Sequence, residues 1–232
     1  MTSLRAKKSS GGFSLLELLI AMAITITLMT AATTLLASAL RMRSRENQKS
    51  DALADAQRAL NILSREIADS GFNLNNNGIV ASDSGLHTLR IRSNLNKYDL
   101  TASAAARNGI QVPGEDANED ISYFTNLVDT TKYLARHDEY GSGSTVLANR
   151  IDEMSFHYFD QKVTYACKSR DTDISDPSVA EVVSKAQAKY VVIAIAVTLD
   201  QVGIQGSPGY QPSYSVLLCS DVALRNAGLW NY

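Results

Sequence analysis

The chain has few of the residues that build metal and redox sites. Its 232 residues include only two cysteines, Cys167 and Cys219, and three histidines, His87, His137 and His157. Two cysteines are too few for a disulfide scaffold, and their spacing is not that of a C-x-x-C zinc or redox motif. The histidines are too scattered to suggest a metal site. We therefore predict no metal centre and no cofactor.

Enzyme motifs and a basic surface are also missing. Neither G-x-S-x-G nor H-E-x-x-H occurs, and no serine stands in a nucleophile context. The formal net charge is −2, and it would be −5 without the early cations Arg5, Lys7 and Lys8. No basic patch remains that could bind nucleic acid. The sequence predicts no catalytic residues, no enzyme activity and no nucleic-acid partner.

Two acidic clusters are the remaining candidates for a cation site. Carboxylate oxygens suit Ca²⁺, but the glycine and terminal glutamate spacing of an EF-hand is missing. We interpret both clusters as solvated loops within the polar stretches 101–120 and 168–184. The clusters consist of Asp171, Asp173 and Asp176, and of Glu115, Asp116, Glu119 and Asp120.

Helix breakers are absent from a long stretch near the start. No glycine or proline occurs in residues 13–70, between Gly12 and Gly71. This length is unusual for a helix of a globular protein, and it predicts one helix of about 87 Å. Ser70 and Gly71 then predict its end, and the asparagine-rich residues 75–78 predict a turn.

Charge is absent from residues 18–40, in the first half of that helix. As a helix this run measures about 35 Å, which exceeds the roughly 30 Å of a bilayer's hydrocarbon core. We predict a membrane span. The alternative is a secretory signal, because Ala37 and Ala39 resemble an A-x-A cleavage site. Against it, an ordinary apolar signal region is only about 7–15 residues long and carries no acid.

Glu17 is a carboxylate at the start of this apolar run. A charge within a span costs roughly 2.5–3.5 kcal/mol at the helix centre, so its presence suggests a function. One interpretation is an ion pair with a cation of another chain. The other is a side chain that extends to the lipid headgroups from the end of the helix.

The second half of the predicted helix is amphipathic. One face carries a stripe at alternating steps of three and four residues, formed by Leu53, Ala56, Leu60, Leu63 and Ile67. Charged residues occupy the other faces. Because the stripe spans only about two heptads, we predict that it packs on a domain core and does not form a coiled coil.

Beyond residue 71 the apolar pattern changes to a period of two, which indicates strands. The segments follow one another without intervening helices, so we predict an antiparallel sheet. The fold class is α+β, with a long N-terminal helix packed on an antiparallel β-sheet head. The candidate strands are residues 89–92, 121–124, 132–136, 154–159, 190–199 and 214–220.

Residues Gly12 to Glu17, behind a short basic leader and ahead of an apolar helix, resemble the class III signal of type IV pilins and type II secretion pseudopilins. The resemblance implies cleavage by a prepilin peptidase between Gly12 and Phe13. It also implies that the same enzyme methylates the new amine of Phe13. Glu17 would then pair with the N-terminal amine of a neighbouring subunit during assembly. The resemblance further implies that the chain has the pilin fold, with an anchor in the inner membrane and a head in the periplasm.

Scattered segments resemble, more specifically, minor pilins of the PilW/GspJ class. This resemblance implies a minor pilin of a type IV pilus that primes or caps the fibre. Two alternatives remain open: a J-type minor pseudopilin of a type II secretion system, and an unprocessed single-pass membrane-anchored binding protein. The similar segments are residues 60–72, 121–123 with 133–136, 146–151 with 156–160, and 222–226.

These interpretations divide the chain into four parts. We expect a leader at 1–12, a membrane or filament-core half-helix at 13–40, a periplasmic half-helix at 41–71, and a β-rich head at 72–232. The implied partners are other pilins or minor pilins, the prepilin peptidase and methyltransferase, and inner-membrane lipid. Cations lie on both sides of the span, so the positive-inside rule alone does not orient it.

Two further features stay open at this point. In an oxidising compartment Cys167 and Cys219 could form one disulfide, but they could equally be two buried thiols. Tyr210, Trp230 and Tyr232 could belong to an interaction surface, because aromatic residues are favoured there, or they could simply pack on a sheet.

Overall fold

The computed structural model describes residues 14–95, 117–128, 131–141, 143–149, 151–167 and 174–227. Their backbone forms one long helix followed by antiparallel strands. They fall into two compact units. The first unit contains the helix as far as Glu46 together with Gln201–Pro212, and the second contains the described residues of Asn47–Asp200 and Ser213–Tyr232.

Helix α1 runs from Leu15 to Ala68, 54 residues or about 81 Å. The uninterrupted helix predicted from the missing glycine and proline is therefore confirmed, although it ends two residues earlier than expected. Asp69 and Ser70 still bond back to the last turn, but Gly71 has a φ of +76° and turns its amide to the Arg92 carbonyl, at 2.9 Å. Glycine adopts this left-handed conformation without steric cost.

The strands of the second unit form two main sheets and one small one, where the sequence predicted a single sheet. The first sheet has the order β1-β2-β3-β4, the second β5-β8-β9 and the third β6-β7, and all pairings are antiparallel. Their bounds are β1 Thr88–Arg92, β2 Asp120–Val128, β3 Thr131–Asp138, β4 Gly143–Asn149, β5 Glu153–Phe159, β6 Ala166–Cys167, β7 Ile174–Ser175, β8 Tyr190–Leu199 and β9 Tyr214–Ala223.

Every predicted strand is present. Two of the segments that resemble minor pilins, residues 121–123 and 133–136, pair with each other in β2 and β3, where Tyr123 lies opposite Arg136. The segments 146–151 and 156–160 prove to belong to two strands, β4 and β5, in different sheets. Residues 168–184, predicted as a loop, contain the short strand β7 in their described part. Residues 101–116 lie outside the described residues.

The core of the second unit forms where the second half of α1 meets both main sheets. Alanine dominates the buried face of the helix at Ala52, Ala56 and Ala59, followed by Leu63 and Ile67. The predicted stripe therefore lies on the side of the helix that faces the core. Its buried centre is one residue away from the predicted one, because Leu53 and Leu60 lie at the edges of the stripe and are half-buried. Small side chains on the buried face allow the helix backbone to approach its neighbours closely. The sheets contribute Leu89, Tyr123, Leu134, Met154, Phe156, Val191, Ile193 and Ile195.

Strand β8 is buried on both of its faces, which explains its nearly continuous apolar sequence. Alternate side chains such as Ile193 join the main core. Val192 joins a smaller cluster with Phe159, Val163 and Ile174. A strand of this kind lies at the centre of a sheet, and β8 is indeed flanked by β5 and β9.

Candidate functional site

At the start of the helix, the Glu17 side chain reaches back and caps the backbone N–H of Ser14. Ser14 precedes the first helical residue, and its backbone N–H donates to Glu17 Oε2 at 3.3 Å. Serine at the N-cap followed three residues later by glutamate is the pattern of a capping box. The Glu17 carboxylate thus lies at the start of the helix, where the helix dipole favours a negative charge. Gly12 and Phe13, the predicted cleavage and methylation residues, lie outside the described residues.

The first half of α1 exposes its apolar side chains on all sides. The residues from Leu15 to Met42 include many exposed leucines, isoleucines and methionines, and none of the 18 residues in the most apolar window of the helix is buried. Threonine hydroxyls within it donate to carbonyls one turn back, for example Thr25 to Ala21 at 2.7 Å. The helix is long and apolar enough to cross a membrane. Such a surface requires lipid or other helices around it.

The family comparison concerns this same segment. The model for the prokaryotic N-terminal methylation motif matches residues 7–33. The chain carries a pilin-type signal. The match supports a type IV pilin-like protein that is processed by a prepilin peptidase, and the long apolar helix fits membrane anchoring. No curated protein and no solved structure matches the chain significantly.

A second glutamate, Glu66, attaches the second half of α1 to the first sheet. Tyr123 Oη donates a hydrogen bond to Glu66 Oε2, and Arg136 Nε donates to the same oxygen at 3.0 Å. Arg136 also donates to Asn118 Oδ1 at 2.9 Å. Burial, and then the charge of Glu66, raise the pKa of Tyr123 well above its ordinary value of 10.0. The sequence analysis missed this cluster because its members are 57 and 70 residues apart.

A second charged cluster corrects the interpretation of one acidic loop. Asp120 is fully buried as the first residue of β2, and Glu119 beside it is nearly so. Asp120 accepts hydrogen bonds from Arg90 at 2.7 and 2.8 Å and from Arg92 at 2.8 Å. The bonds to Asp120 raise the pKa of the Arg90 guanidinium in spite of its burial. These two acidic residues are therefore structural and are not solvated as predicted, while Glu115 and Asp116 lie outside the described residues.

The end of α1 is joined to three other segments. Ser70 Oγ donates to the Asn77 carbonyl at 2.7 Å, and the buried Asn77 Nδ2 donates to the Ala188 carbonyl at 3.0 Å. Asn226 Nδ2 donates to the Ser70 carbonyl at 3.1 Å. Gly78 lies so close to Ser70 and Gly71 that any side chain there would collide with both. The turn predicted at residues 75–78 is therefore part of the support of the helix.

Cys167 and Cys219 are joined by a disulfide in this structure, with their Cα atoms 6.1 Å apart. The bond links β6 to β9, across 52 residues of sequence. Of the two alternatives that the sequence left open, the structure shows the bridged one. Sequence could not choose between them because only the folded chain determines the distance between two Cα atoms.

The remaining candidate residues do not converge on a site. His87 contacts the Met154 carbonyl, His137 contacts Ser144, and His157 contacts Glu181 at 2.5 Å, so the three rings lie in separate places. Among the described residues, no group of three histidine, cysteine or acidic side chains could hold a metal ion. Asp176 is described, but Asp171 and Asp173 are not. Tyr210 is half-exposed, whereas Trp230 and Tyr232 lie outside the described residues.

Proposed function

We propose that this protein is a minor pilin of a type IV pilus, an assembly subunit that helps to prime or cap the fibre. One observation carries the proposal: a single helix, which starts within the matched methylation motif, is apolar and exposed in its first half and forms part of a folded core in its second half. A helix of this kind can leave the bilayer and pack among equivalent helices while its head remains folded. The exposed apolar half of the helix performs assembly, and this role needs no catalytic residue.

The first step of the proposed mechanism is cleavage between Gly12 and Phe13. It removes the basic leader, residues 1–12, and creates a charged amine on Phe13, which the prepilin peptidase then methylates. Ser14 becomes the second residue, so the new amine is formed next to the turn that Glu17 caps. A buried carboxylate is costly without a partner, and the amine supplies the opposite charge.

The second step is assembly through the exposed apolar half-helix, residues 13–40. In the fibre, the Glu17 carboxylate would bind the Phe13 amine of a neighbouring subunit and so set the axial register. In such a contact, one surface of a subunit binds a different surface of the next subunit. When repeated contacts of this kind do not close into a ring, they generate a filament. Residues 41–71 would carry the helix into the periplasm and into the head, residues 72–232. The Cys167–Cys219 disulfide supports a periplasmic location, because such bonds persist in oxidising compartments.

The proposal is tested first by mass spectrometry of the N-terminal peptide from cells that contain a prepilin peptidase. We expect a chain that starts with N-methyl-Phe13. Substitution of Gly12 by valine should leave the leader in place and provides the matched control. A chain that keeps Met1, or that starts at Leu40 after an ordinary signal cleavage, would contradict the proposal. An intact Met1 is the result expected of an unprocessed membrane-anchored binding protein.

The role of Glu17 is tested by Glu17→Ala. We expect processing to persist and incorporation into isolated fibres to fall, because the amine loses its partner. Glu46→Ala removes an exposed carboxylate from the same helix beyond the span and should leave incorporation unchanged. Normal incorporation of Glu17→Ala would exclude the ion pair. Deletion of the gene then separates the two systems: a pilin deletion abolishes surface fibres, whereas a J-type pseudopilin deletion abolishes protein secretion.

A further inference from the structure

The loop that connects β8 to β9, Gln201–Pro212, packs along α1 where the uncharged run ends. It belongs to the same compact unit as the helix residues up to Glu46. Arg41 Nη1 donates to the Pro208 carbonyl at 2.7 Å, and Arg45 Nη2 donates to the Pro212 carbonyl at 2.9 Å. Gly209 lies so close to Ser38 that an added Cβ would be 3.0 Å from the Ser38 Cα. The loop therefore contacts the last turn of the predicted span as well as the cations that follow it.

The depth of this contact follows from the length of the span. Residues 18–40 measure about 35 Å as a helix, and the hydrocarbon core is roughly 30 Å thick. In an untilted span that starts at residue 18, the final turn, which contains Ser38, is expected at the boundary between acyl chains and headgroups. Arg41 is about 4.5 Å further along the axis and is then expected among the headgroups. Contacts to Ser38 and Arg41 place the loop at the same level.

The composition of the loop suits that level. None of the twelve residues of Gln201–Pro212 is charged. Ile204 is 78% exposed, and Tyr210 is half-exposed. Tyrosine is enriched at the membrane–water interface, and the apolar side chains of segments that lie there are buried at the boundary between headgroups and acyl chains.

The loop also has a defined conformation. Val202 and Gln211 form an antiparallel bridge with two backbone hydrogen bonds of 2.9 Å. Inside the bridge, the Ser207 N–H donates to the Ile204 carbonyl at 2.9 Å. A loop held in this way presents Ile204 in a fixed position and loses little conformational entropy when that side chain enters a membrane.

We propose that Gln201–Pro212 is a membrane-surface foot: it rests in the lipid headgroup layer beside the end of the span, and its Ile204 side chain inserts into the bilayer of the unassembled subunit. Arg41, bound to the loop carbonyl, holds the foot at this depth. The foot fixes how far the helix emerges from the membrane before the subunit enters a fibre. The inference rests on the membrane anchoring in the proposed function, and the test below separates the two.

The test uses single-tryptophan variants of the full chain, with Trp230→Phe as the background. The proteins are reconstituted in phosphatidylethanolamine and phosphatidylglycerol vesicles that contain phosphatidylcholine brominated either near the headgroup or near the acyl-chain ends. We expect Ile204→Trp to show a blue-shifted emission and to be quenched more strongly by the lipid brominated near the headgroup. Because Ile204 is exposed, this substitution leaves the fold intact, and circular dichroism checks that it does.

Two further variants make the result decisive. Leu28→Trp, in the middle of the apolar run, should be quenched more strongly by the lipid brominated near the chain ends. If it is not quenched, the helix does not span the membrane and the anchoring itself is wrong. Val183→Trp replaces an exposed valine of the second unit and provides the reference in water. If Leu28→Trp is quenched while Ile204→Trp behaves like Val183→Trp, the foot is excluded and the loop is left as a surface for a neighbouring subunit.

Discussion

The two halves of α1 share one backbone but are surrounded differently. Residues 15–40 present leucine, isoleucine and methionine on all sides, and these side chains are exposed. Residues 47–68 present charges on one side and a buried stripe of alanine, leucine and isoleucine on the other. The first half is therefore specified by an environment outside the chain, and the second by contacts within it. Substitutions should act on insertion or assembly in the first half and on folding in the second.

The two glutamates of the helix illustrate the same difference. Within the part of the chain that the structure describes, Glu17 accepts one hydrogen bond, from the backbone of Ser14. Glu66 accepts hydrogen bonds from Tyr123 and Arg136 of the first sheet and fastens the helix to it. We expect the loss of Glu17 to impair assembly and the loss of Glu66 to impair stability. Substitutions in the two halves should therefore differ in their effect on the free energy of unfolding.

Gly78→Ala should have the largest effect. Gly78 has a φ of +76°, and an added Cβ would collide with the backbone of Gly71 and Arg92, where the end of α1 is held. Left-handed strain and overpacking together should lower the unfolding free energy by about 3 kcal/mol or more. Urea unfolding of the detergent-solubilised chain measures this loss of unfolding free energy.

The matched control for that substitution is Gly143→Ala. Gly143 has a φ of +106°, but no atom lies within 4 Å of an added Cβ. Gly143→Ala should therefore lower the unfolding free energy only by the cost of placing alanine in a left-handed conformation, about 1–2 kcal/mol. Equal losses in the two variants would show that the contact at the helix end has no influence on stability.

Glu66→Ala should lower the unfolding free energy by about 2 kcal/mol. It leaves Tyr123 and Arg136 largely buried without their shared acceptor, and the partial exposure of the ion pair keeps the loss below that of a fully buried one. Glu17→Ala should leave urea unfolding of the second unit unchanged. A cycle with Tyr123→Phe measures the coupling between the helix and the sheet, and a coupling energy near zero would contradict the proposed attachment.

The two halves of α1 can be compared by making the same change, alanine to leucine, at Ala56 and at Ala32. Ala56 is fully buried, so the larger side chain should overpack the core and cost about 1–2 kcal/mol. Ala32→Leu makes the same change on the exposed first half and should leave unfolding unaffected. Thermal unfolding followed by circular dichroism gives both values. A similar loss in the two variants would mean that the first half is also part of a packed core.

The smallest effect should appear in the dependence of stability on pH. Burial, and then Glu66, raise the folded-state pKa of Tyr123 above its ordinary value of 10.0. The resulting contribution is fully present below about pH 10 and is lost as the pH rises further. Tyr123→Phe should therefore reduce the decline in stability above pH 10, measured by urea unfolding at increasing pH. Tyr140→Phe, at an exposed tyrosine, should not change that decline.

Local sequence patterns predicted most of the fold correctly. The absence of glycine and proline over residues 13–70 predicted the helix, and alternation predicted a strand at Leu89–Arg92, which lies within β1. A continuous apolar run followed by a loop with glycine and proline predicted Tyr190–Leu199 with its observed bounds. The division into separate sheets was not predictable, because strand pairing depends on contacts between distant segments. Likewise, the centre of the helix stripe shifted to Ala52 and Ala59, which are buried, whereas Leu53 and Leu60 are half-buried.

The candidate site also has a part that could be predicted from the sequence and a part that could not. The motif at Gly12, Phe13 and Glu17 is contiguous, so its resemblance to a pilin signal could be seen from a few residues, and the match over residues 7–33 supports it. The capping hydrogen bond of Glu17 was within reach of the same analysis, because Ser14 and Glu17 form the S-x-x-E pattern of a capping box. The loop at Gln201–Pro212 gave no such signal, since its partners are on α1, 167 residues away in sequence.

The sequence by itself determined the properties that depend on neighbouring residues: an uninterrupted helix, a span of membrane length, a processing motif and a set of strands. Tertiary structure decided the properties that depend on distant residues. It decided that Glu66 binds Tyr123 and Arg136, that Asp120 is buried between two arginines, and that Cys167 meets Cys219. The physical reason is that helix and strand periodicity arise within a few residues, whereas ion pairs, disulfides and packing require chain segments that only folding brings together.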